Sequence, residues 1–330
     1  MPTLPDVAVI MPALNEENHL ESAVRAILNQ TYGGNLRVVI ALGPSTDASE
    51  SIAKRLSGED SRITLVANES GRTPDGLNAA IAATTEPIIV RVDAHSELSD
   101  DYISTAVETL ARTGADNVGG IMAAVGVSKF EQAVAAAMTS KLGVGSAPFH
   151  VGGNEGPADS VYLGVFRRSA LDRVGGYDPA FTRAQDWEMN FRIRSTGGVV
   201  WFNPKLVVTY RPRSTIRTLA KQYFQYGQWR HKVMREHPQT ARSASALRYY
   251  APPVATAGIF LGALVGVTGL PINNIAMSLA LSVPISYLTF VLVSSALLAK
   301  SAKRGTRYLP AVLAAMQISW GCGFIFSPRK

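Results

Sequence analysis

The chain has 330 residues, and 47% of them are hydrophobic, which is a high fraction for a purely soluble protein. Its formal net charge of +7 combines a net −7 over residues 1–210 with a net +14 over residues 211–330. Many of the basic residues of the second part lie between Arg211 and Arg248, directly before its first apolar segment. We therefore expect them to face an anionic membrane surface and not nucleic acid. Cys322 is the single cysteine, which excludes an intramolecular disulfide and a thiolate metal cluster.

Short apolar runs alternate with helical patterns in the first part of the chain. We predict four strands with a helix after each, the strands at residues 7–11, 36–41, 63–66 and 88–92 and the helices at 17–30, 47–56, 75–83 and 100–112. This alternation is typical of βαβ units in a mainly parallel sheet, which places active groups at the carboxyl ends of the strands. The apolar run at 7–11 is too short for a signal peptide, so we expect this part in the cytoplasm.

The pattern is weaker beyond this region. A further apolar run covers residues 118–125, and the Gly-, Ser- and Pro-rich residues 143–157 are predicted to form a mobile loop. We then predict a strand at 161–166, a helix at 185–195 and separate strands at 199–202 and 206–210.

Polar side chains occur where the predicted strands end. Pro12, Asn15 and Glu16 lead from the first strand into the first helix, where a nucleotide could bind, although Asn15 is equally explained as a helix cap. Arg72 adds a cation that could hold a phosphate oxygen, with a surface ion pair as the alternative. Asn78, in the third helix, adds an amide near the same edge.

A carboxylate and an imidazole follow the fourth strand. Asp93 and His95 are two residues apart, and an oxygen ligand and a nitrogen ligand at this spacing could share one divalent cation. Such a cation could neutralise a diphosphate. The alternative is an acidic turn with a solvated histidine.

These motifs, in this order, resemble those of the family 2 glycosyltransferases, and within them the succinoglycan-biosynthesis subgroup. The motifs are PALNE at 12–16, STD at 45–47, GR at 71–72 with GLN at 76–78, RVDAH at 91–95, GGYD at 175–178 and QDWE at 185–188. The resemblance implies an α/β GT-A fold, Rossmann-like with a mainly parallel sheet. It also implies a nucleotide-diphosphate sugar donor, a divalent metal (Mg²⁺ or Mn²⁺) and inversion at the anomeric carbon.

The resemblance also assigns roles to residues. Asp93 matches the metal-binding acid of the Asp-x-Asp-type motif, and His95 stands where many relatives have a second Asp. Asp186 matches the catalytic base; it begins a predicted helix, whose dipole favours an ionised carboxylate, and a simple helix cap is the alternative. Residues 42–44 read Leu-Gly-Pro where relatives commonly carry an Asp that contacts the nucleotide base, so the base contact differs here.

Three apolar stretches, at about 252–272, 275–299 and 308–326, are near the length that spans a membrane. The link between the second and the third is basic, which the positive-inside rule places in the cytoplasm. The third stretch contains Gly321 and Gly323 and is either a span or a re-entrant segment. Before them, residues 219–236 combine aromatic and basic side chains, which is typical of an interfacial helix. Gln225, Trp229 and Arg230 in this helix, with Trp187, are our candidates for contact with the acceptor or with the membrane surface.

The sequence thus predicts a glycosyltransferase domain at 1–210, an interfacial region at 211–250 and a membrane domain at 251–330. The predicted enzyme is a multi-pass protein of the inner membrane with a cytoplasmic catalytic domain, which moves a hexose from a nucleotide sugar to a lipid-linked saccharide in polysaccharide or glycolipid synthesis. The alternatives are a polyprenyl-phosphate sugar synthase and a non-catalytic membrane scaffold.

Overall fold

The computed structural model describes residues 4–242, 247–268 and 273–328. The link predicted between the first two membrane segments lies largely outside these residues. The chain forms two compact units. The sheet unit comprises Met1–Ala123 and Ala147–Tyr210, and the helical unit comprises Ala124–Ser146 and Arg211–Lys330.

A mixed sheet of nine strands forms the centre of the sheet unit. The strands are β1 (Val7–Ala13), β2 (Leu36–Leu42), β3 (Ile63–Ala67), β4 (Ile88–Arg91), β5 (Glu97–Leu98), β6 (Asn117–Ala124), β7 (Gly156–Pro157), β8 (Tyr162–Arg167) and β9 (Val200–Tyr210). Their order is β3-β2-β1-β4-β8-β6-β9-β5, and β7 pairs with β9. The first four strands in this order are parallel, and β8 pairs with both β4 and β6 in antiparallel fashion. The carboxyl ends of β1, β2 and β4 therefore lie side by side.

Helices cover both faces of the sheet. One face packs against α1 (Leu20–Leu28), α2 (Ser49–Glu59) and α4 (Tyr102–Thr113), and the other packs against α3 (Thr73–Ala82), α8 (Arg168–Val174) and α9 (Gln185–Ser195). Alternate residues of β1 enter the two layers, Val7 and Val9 on one side and Ala8 and Ile10 on the other. A strand that is buried on both faces reads as a continuous apolar run, and this explains why the run at 7–11 predicts it.

Two expectations for the middle of the chain are wrong. Residues 143–157 are not a plain loop, because they contain α6 (Lys141–Val144) in part, α7 (Pro148–Val151) and β7. The strands predicted at 199–202 and 206–210 are one strand, β9. The Asn203 side chain accepts a hydrogen bond from the Lys205 amide (2.9 Å) and donates one to Thr109 (2.9 Å), so the polar turn-like residues are accommodated within an extended strand.

A helix that the sequence analysis missed lies in the helical unit. α5 (Lys129–Met138) begins with a capping box, in which Ser128 accepts from the Glu131 amide and the Glu131 side chain accepts from the Ser128 amide. The Ser-x-x-Glu spacing before an alanine-rich run is the signal that predicts such a helix.

Among its described residues, the helical unit also contains α10 (Ile216–Glu236), α11 (Leu247–Thr268), α12 (Asn274–Leu298), α13 (Leu309–Ile325) and the 3-10 helices Pro238–Arg242 and Lys303–Tyr308. Within the described residues, three helical segments are long and apolar enough to cross a membrane: Tyr249–Gly266, Asn274–Leu298 and Lys303–Ile325. They correspond to the three predicted apolar stretches.

Helices α10 and α13 cross at two glycines. A Cβ atom at Gly227 would lie 2.0 Å from the carbonyl oxygen of Trp320, and one at Gly323 would lie 1.9 Å from that of Phe224. His231 Nδ1 lies 2.8 Å from the carbonyl oxygen of Phe324, and the two rings stack. Each helix therefore presents a glycine to the backbone of the other.

We expect Gly323→Ala to destabilise the protein by about 1–3 kcal/mol, because the added methyl group overlaps a backbone carbonyl that cannot move alone. Gly58→Ala is the matched control, since nothing lies within 4 Å of the site in α2. It should be neutral or stabilising, as alanine favours a helix over glycine. Thermal unfolding of both variants in the same detergent checks this, and equal melting temperatures for the two would contradict the proposed crossing.

Candidate functional site

The loops that follow β1 and β2 are held together by hydrogen bonds. Asn15 has a positive φ of 56°, its amide donates to Ser45 Oγ (3.0 Å), and its Oδ1 accepts from the Thr46 amide (2.8 Å). The Glu16 amide donates to Ser49 Oγ (2.7 Å). Asn15 is not a helix cap, since α1 begins at Leu20. It fixes the edge of the sheet at which we predict nucleotide binding.

Pro12 and Glu16 lie at the same edge. Pro12 is still part of β1 and is in register with Ala41 of β2. Glu16 Oε1 lies 2.8 Å from His95 Nδ1, so the loops after β1 and β4 also meet here. The His95 side chain is 43% exposed, and its ring contacts this carboxylate.

One guanidinium joins the two carboxylates for which the sequence predicts chemistry. Arg91, the last residue of β4, is 3% exposed. Its Nη2 and Nε lie 3.0 and 3.3 Å from Asp93 Oδ1, and its Nη1 donates to Asp186 Oδ1. Asp93 and Asp186 are 93 positions apart in the chain, and this arginine brings them to one point. Sequence analysis did not single out Arg91; a lone charge within an apolar strand is the signal that marks it.

Electrostatics keep Arg91 and Asp93 charged. Burial by itself lowers the pKa of Arg91, but the charge of Asp93, the nearby Tyr177, the hydrogen bond to Asp93 and the nearby Tyr162 together raise the pKa of Arg91 above its usual value. Burial by itself raises the pKa of Asp93, but the charges of Arg91 and His95 and the hydrogen bond from Arg91 hold the pKa of Asp93 below its usual value. Asp93 is therefore a carboxylate at neutral pH, as a ligand for a hard cation must be.

The donor set suits a metal that is completed by substrate. Within the described part of the chain, no group of three or more His, Cys, Asp or Glu side chains is placed to hold a metal ion. Asp93 and His95 supply one carboxylate and one imidazole. Mg²⁺ and similar ions are commonly bound in this way, through one or two protein ligands, with phosphate oxygens and water filling the remaining positions. The predicted pair fits such a site.

Arg72 and Asn78 lie beside this edge with partners of their own. Arg72 Nε lies 2.7 Å from Asp75 Oδ2, which is the surface ion pair named as the alternative to a phosphate contact, and the Arg72 side chain remains 49% exposed. Asn78 donates to the carbonyl oxygen of Tyr177 (2.7 Å) and accepts from the Tyr177 amide (2.8 Å). It holds the turn at Gly176, whose φ of 72° and close approach to Asn78 require a residue without a side chain.

Helix α9 carries Asp186 as its second residue. The N-cap is Ala184, in the left-handed region with a φ of 58° and without a side-chain cap hydrogen bond. Asp186 is therefore not the helix cap, and its carboxylate contacts Arg91 instead. An ion pair one turn apart stabilises this helix, since Arg192 Nε lies 2.6 Å from the buried Glu188. Arg192 also donates to the carbonyl oxygen of Gly176 (2.8 Å), so α9 is tied to the same turn as Asn78.

The four candidate acceptor or interface residues are distributed between the units. Trp187 follows Asp186 in the sheet unit and stacks on Phe191 with a centroid distance of 5.6 Å. Gln225, Trp229 and Arg230 lie on α10 in the helical unit, where the Arg230 guanidinium lies 4.1 Å from the ring of Tyr249.

The segment at 42–44 forms an uncharged surface at the end of β2. A Cβ atom at Gly43 would lie 3.0 Å from Leu14 Cδ1 and 3.3 Å from the Gly71 Cα. The loops after β1, β2 and β3 thus pack closely here, with no carboxylate supplied by residues 42–44.

Comparisons with known proteins agree with this architecture. The Glycosyl transferase family 2 model matches residues 8–175. The succinoglycan biosynthesis protein ExoA of Rhizobium meliloti (strain 1021) is 35% identical over 261 residues, which cover 78% of this chain and 78% of that protein. The GalNAc(5)-diNAcBac-PP-undecaprenol beta-1,3-glucosyltransferase of Campylobacter jejuni is 26% identical over 32% of this chain and 34% of that protein.

A solved structure shares the fold. The mannosyltransferase PcManGT from Pyrobaculum calidifontis, solved with GDP-Man and Mn²⁺, superposes with a TM-score of 0.61. The match covers 98% of this chain and 90% of that protein at 20% sequence identity, which supports the likeness of fold alone. With the strand order, the motif positions and the family match together, the chain belongs to glycosyl transferase family 2 and has a GT-A fold followed by apolar helices.

Proposed function

We propose that this protein is a membrane-anchored, metal-dependent, inverting glycosyltransferase that moves a hexose from a nucleotide-diphosphate sugar to a lipid-linked saccharide. The observation that carries the proposal is the meeting of Asp93 and Asp186 on the guanidinium of Arg91. In this proposal Asp93 acts on the donor and Asp186 acts on the acceptor, within a single centre.

Asp186 has the role of general base. Its carboxylate accepts the proton of the acceptor hydroxyl, while the hydroxyl oxygen bonds to the anomeric carbon and the bond from that carbon to the diphosphate oxygen breaks. The nucleoside diphosphate leaves with the electron pair. Attack from the side opposite the leaving group inverts the anomeric centre. The Asp186 carboxylate is 27% exposed and lies beside the buried Arg91 guanidinium, so an acceptor hydroxyl can reach it.

The donor side uses the edge of the parallel strands. Asp93 and His95 would hold a divalent metal, Mg²⁺ or Mn²⁺, which when bound would supply positive charge to the departing diphosphate. We assign the rest of the nucleotide-sugar site to Pro12, Asn15, Glu16, Arg72 and Asn78. Asn15 and Asn78 contribute by fixing the loops and the turn, and Arg72 has the exposure needed to reach a phosphate.

The acceptor assignment rests on relatives and on chemistry. The Campylobacter jejuni relative is named for an acceptor saccharide on undecaprenyl diphosphate. A hydroxyl acceptor needs a general base, whereas a polyprenyl phosphate does not, so an oriented Asp186 favours a saccharide over the polyprenyl-phosphate alternative. We assign Trp187, beside Asp186, to acceptor contact, and Gln225, Trp229 and Arg230 to contact with acceptor or membrane surface.

The contacts of α13 favour two full spans over three. Only 6% of the segment Asn274–Leu298 is buried, against 33% of Lys303–Ile325. Gln317, in α13, donates to the carbonyl oxygen of Leu142 (2.9 Å), and Ser327, just after α13, donates to that of Gln228 (3.3 Å). Because α10 carries several charged side chains, it belongs at the interface, and so does the helix that packs along it. We propose that α11 and α12 cross the inner membrane and that α13 returns to the cytoplasmic side.

We expect Asp93→Asn to abolish metal-dependent binding of a nucleoside diphosphate, because an amide lacks the charge that holds a hard cation. His95→Ala should weaken the same binding less. Isothermal titration calorimetry of both variants with UDP and GDP, with and without Mn²⁺, measures this. An unchanged Mn²⁺-dependent affinity in Asp93→Asn would rule out the metal assignment.

We expect Asp186→Asn to retain donor binding and to lose transfer by about two orders of magnitude or more, because the amide keeps the shape of the site but cannot accept a proton. The melting temperature, the donor affinity and the turnover should be measured on one sample. A folded, donor-binding variant with near-normal turnover would remove Asp186 from the mechanism.

The topology is tested with single cysteines in a Cys322→Ser background. Ser301→Cys and Ser327→Cys should react with a membrane-impermeant maleimide only after the cells are lysed, since both are predicted to face the cytoplasm. Asn273→Cys, at the start of α12, should react in intact spheroplasts. Labelling of Ser327→Cys in intact spheroplasts would show instead that α13 spans the membrane.

A further inference from the structure

We propose that Arg91 is a positioning residue, which fixes the metal-ligand carboxylate Asp93 and the base carboxylate Asp186 in one arrangement before substrates bind. The inference rests on the proposed function of these two carboxylates. It adds a residue to the reaction that touches neither the donor nor the acceptor and acts through both carboxylates.

The position of Arg91 is unfavourable for a charge. It ends a strand whose preceding residues, Ile89 and Val90, are fully buried, and it is itself 3% exposed. A buried charge destabilises a fold unless it is paired and hydrogen-bonded, and apolar residues often replace buried ion pairs without loss. Its presence in an apolar layer therefore calls for a role beyond stability.

The geometry of the pairing supplies that role. The guanidinium is a rigid plane with donors in fixed directions, and Arg91 uses separate nitrogens for its two partners. Nη2 and Nε contact Asp93, and Nη1 contacts Asp186. Both hydrogen bonds from Arg91 to Asp93 end on the same carboxylate oxygen, Oδ1. A planar group thus sets the separation of the carboxylates on the donor and acceptor sides.

The guanidinium is held in turn by its surroundings. It lies over the ring of Tyr177 at 5.8 Å from the centroid. The Tyr177 backbone is fixed by two hydrogen bonds to Asn78, and Arg192 binds the carbonyl oxygens of Val174 (2.6 Å) and Gly176 (2.8 Å). A displacement of Arg91 would disturb this whole turn, so its orientation is determined by the fold. Catalytic groups need such support to stay within a fraction of an ångström of the productive geometry.

The fold should tolerate replacement of the Arg91 guanidinium. Asp93 and Asp186 are 21% and 27% exposed, so water can reach both carboxylates if the guanidinium is removed. Arg91→Met, which replaces the buried charge with an apolar chain, should therefore fold. Arg91→Lys keeps the charge but has one ammonium in place of a two-sided fork, so it should restore only part of the function.

The test uses the full-length protein in detergent or nanodiscs, with melting temperature, Mn²⁺-dependent binding of UDP and GDP, kcat and KM measured for each variant. For Arg91→Met we expect a loss in kcat of at least about tenfold and a several-fold weaker nucleotide affinity, because both carboxylates lose their fixed position. Arg91→Lys should lie between this variant and the wild type. Arg168→Met is the control, since Arg168 donates to the carbonyl oxygen of Glu86 (2.7 Å) and to Thr84, away from both carboxylates. It should lower the melting temperature without changing kcat.

A double mutant distinguishes the loss of carboxylate positioning from an unspecific loss of structure in the site. If Arg91 acts through the base, Arg91→Met should reduce kcat much less in an Asp186→Asn background than in the wild type. Equal reductions in the two backgrounds, or a normal kcat and nucleotide affinity in Arg91→Met, would overturn the proposal. If Arg91→Met does not fold, Arg91→Lys decides: a reduced kcat at a normal melting temperature supports the role, and a wild-type kcat overturns it.

The outcome is distinguishable from a failure of the proposed function. If the wild type transfers sugar from no donor, the proposed function fails. The Mn²⁺-dependent affinity for UDP and GDP then still decides on Arg91, because that binding needs no turnover. A weaker affinity in Arg91→Met supports its hold on Asp93, and an equal affinity contradicts it.

Discussion

The need to compensate a buried arginine organises the site of this protein. Arg91 is the single charged residue of the otherwise apolar strand β4. Two carboxylates from different parts of the chain pair with its charge. Asp93 reaches Arg91 because it lies just after the carboxyl end of β4, two residues beyond the arginine. Asp186 reaches it because α9 packs on the same face of the sheet as the Arg91 side chain. The pairing of a buried charge thereby brings together the two carboxylates to which we assign the donor side and the acceptor side.

The turn between α8 and α9 makes this arrangement rigid. Asn78 from α3 and Arg192 from α9 both bind its backbone, and Gly176 allows the close approach. The motif residues around it therefore divide into two groups. Asn78, Gly176 and Arg192 hold the scaffold, while Asp93 and Asp186 present charge to the site. This division explains how residues far apart in the sequence contribute to one centre without all of them touching a substrate.

Much of the fold could be predicted because its signals are local. The parallel strands are buried on both faces and read as apolar runs, and the motifs lie at their carboxyl ends as βαβ geometry requires. The predicted helix at 185–195 coincides with α9. By contrast, the sequence predicts two strands where the structure has β9, because the polar Asn203 is typical of a turn. Its hydrogen bond to Thr109, which is distant in the chain, shows why the strand continues.

The site was harder to predict than the fold, since its key contacts are long-range. The sequence places Asp93 and Asp186 at the ends of elements, but their common partner Arg91 emerges only when β4 and α9 are packed together. Similarly, Asn15 has the residue type of a helix cap, and its bonds to the loop after β2 are visible only in three dimensions. The role of Gly227 and Gly323 likewise becomes visible only where α10 and α13 cross.

The central claim is that donor-side and acceptor-side chemistry meet at Arg91. A structure of the full-length protein with a nucleoside diphosphate and Mn²⁺, with the metal located by anomalous scattering, tests this claim most directly. The account predicts a manganese peak within about 2.0–2.6 Å of an Asp93 carboxylate oxygen, with the diphosphate on the metal and Asp186 still bound to Arg91. A metal or a diphosphate bound away from Asp93, or an Asp186 carboxylate turned away from the site, would contradict it.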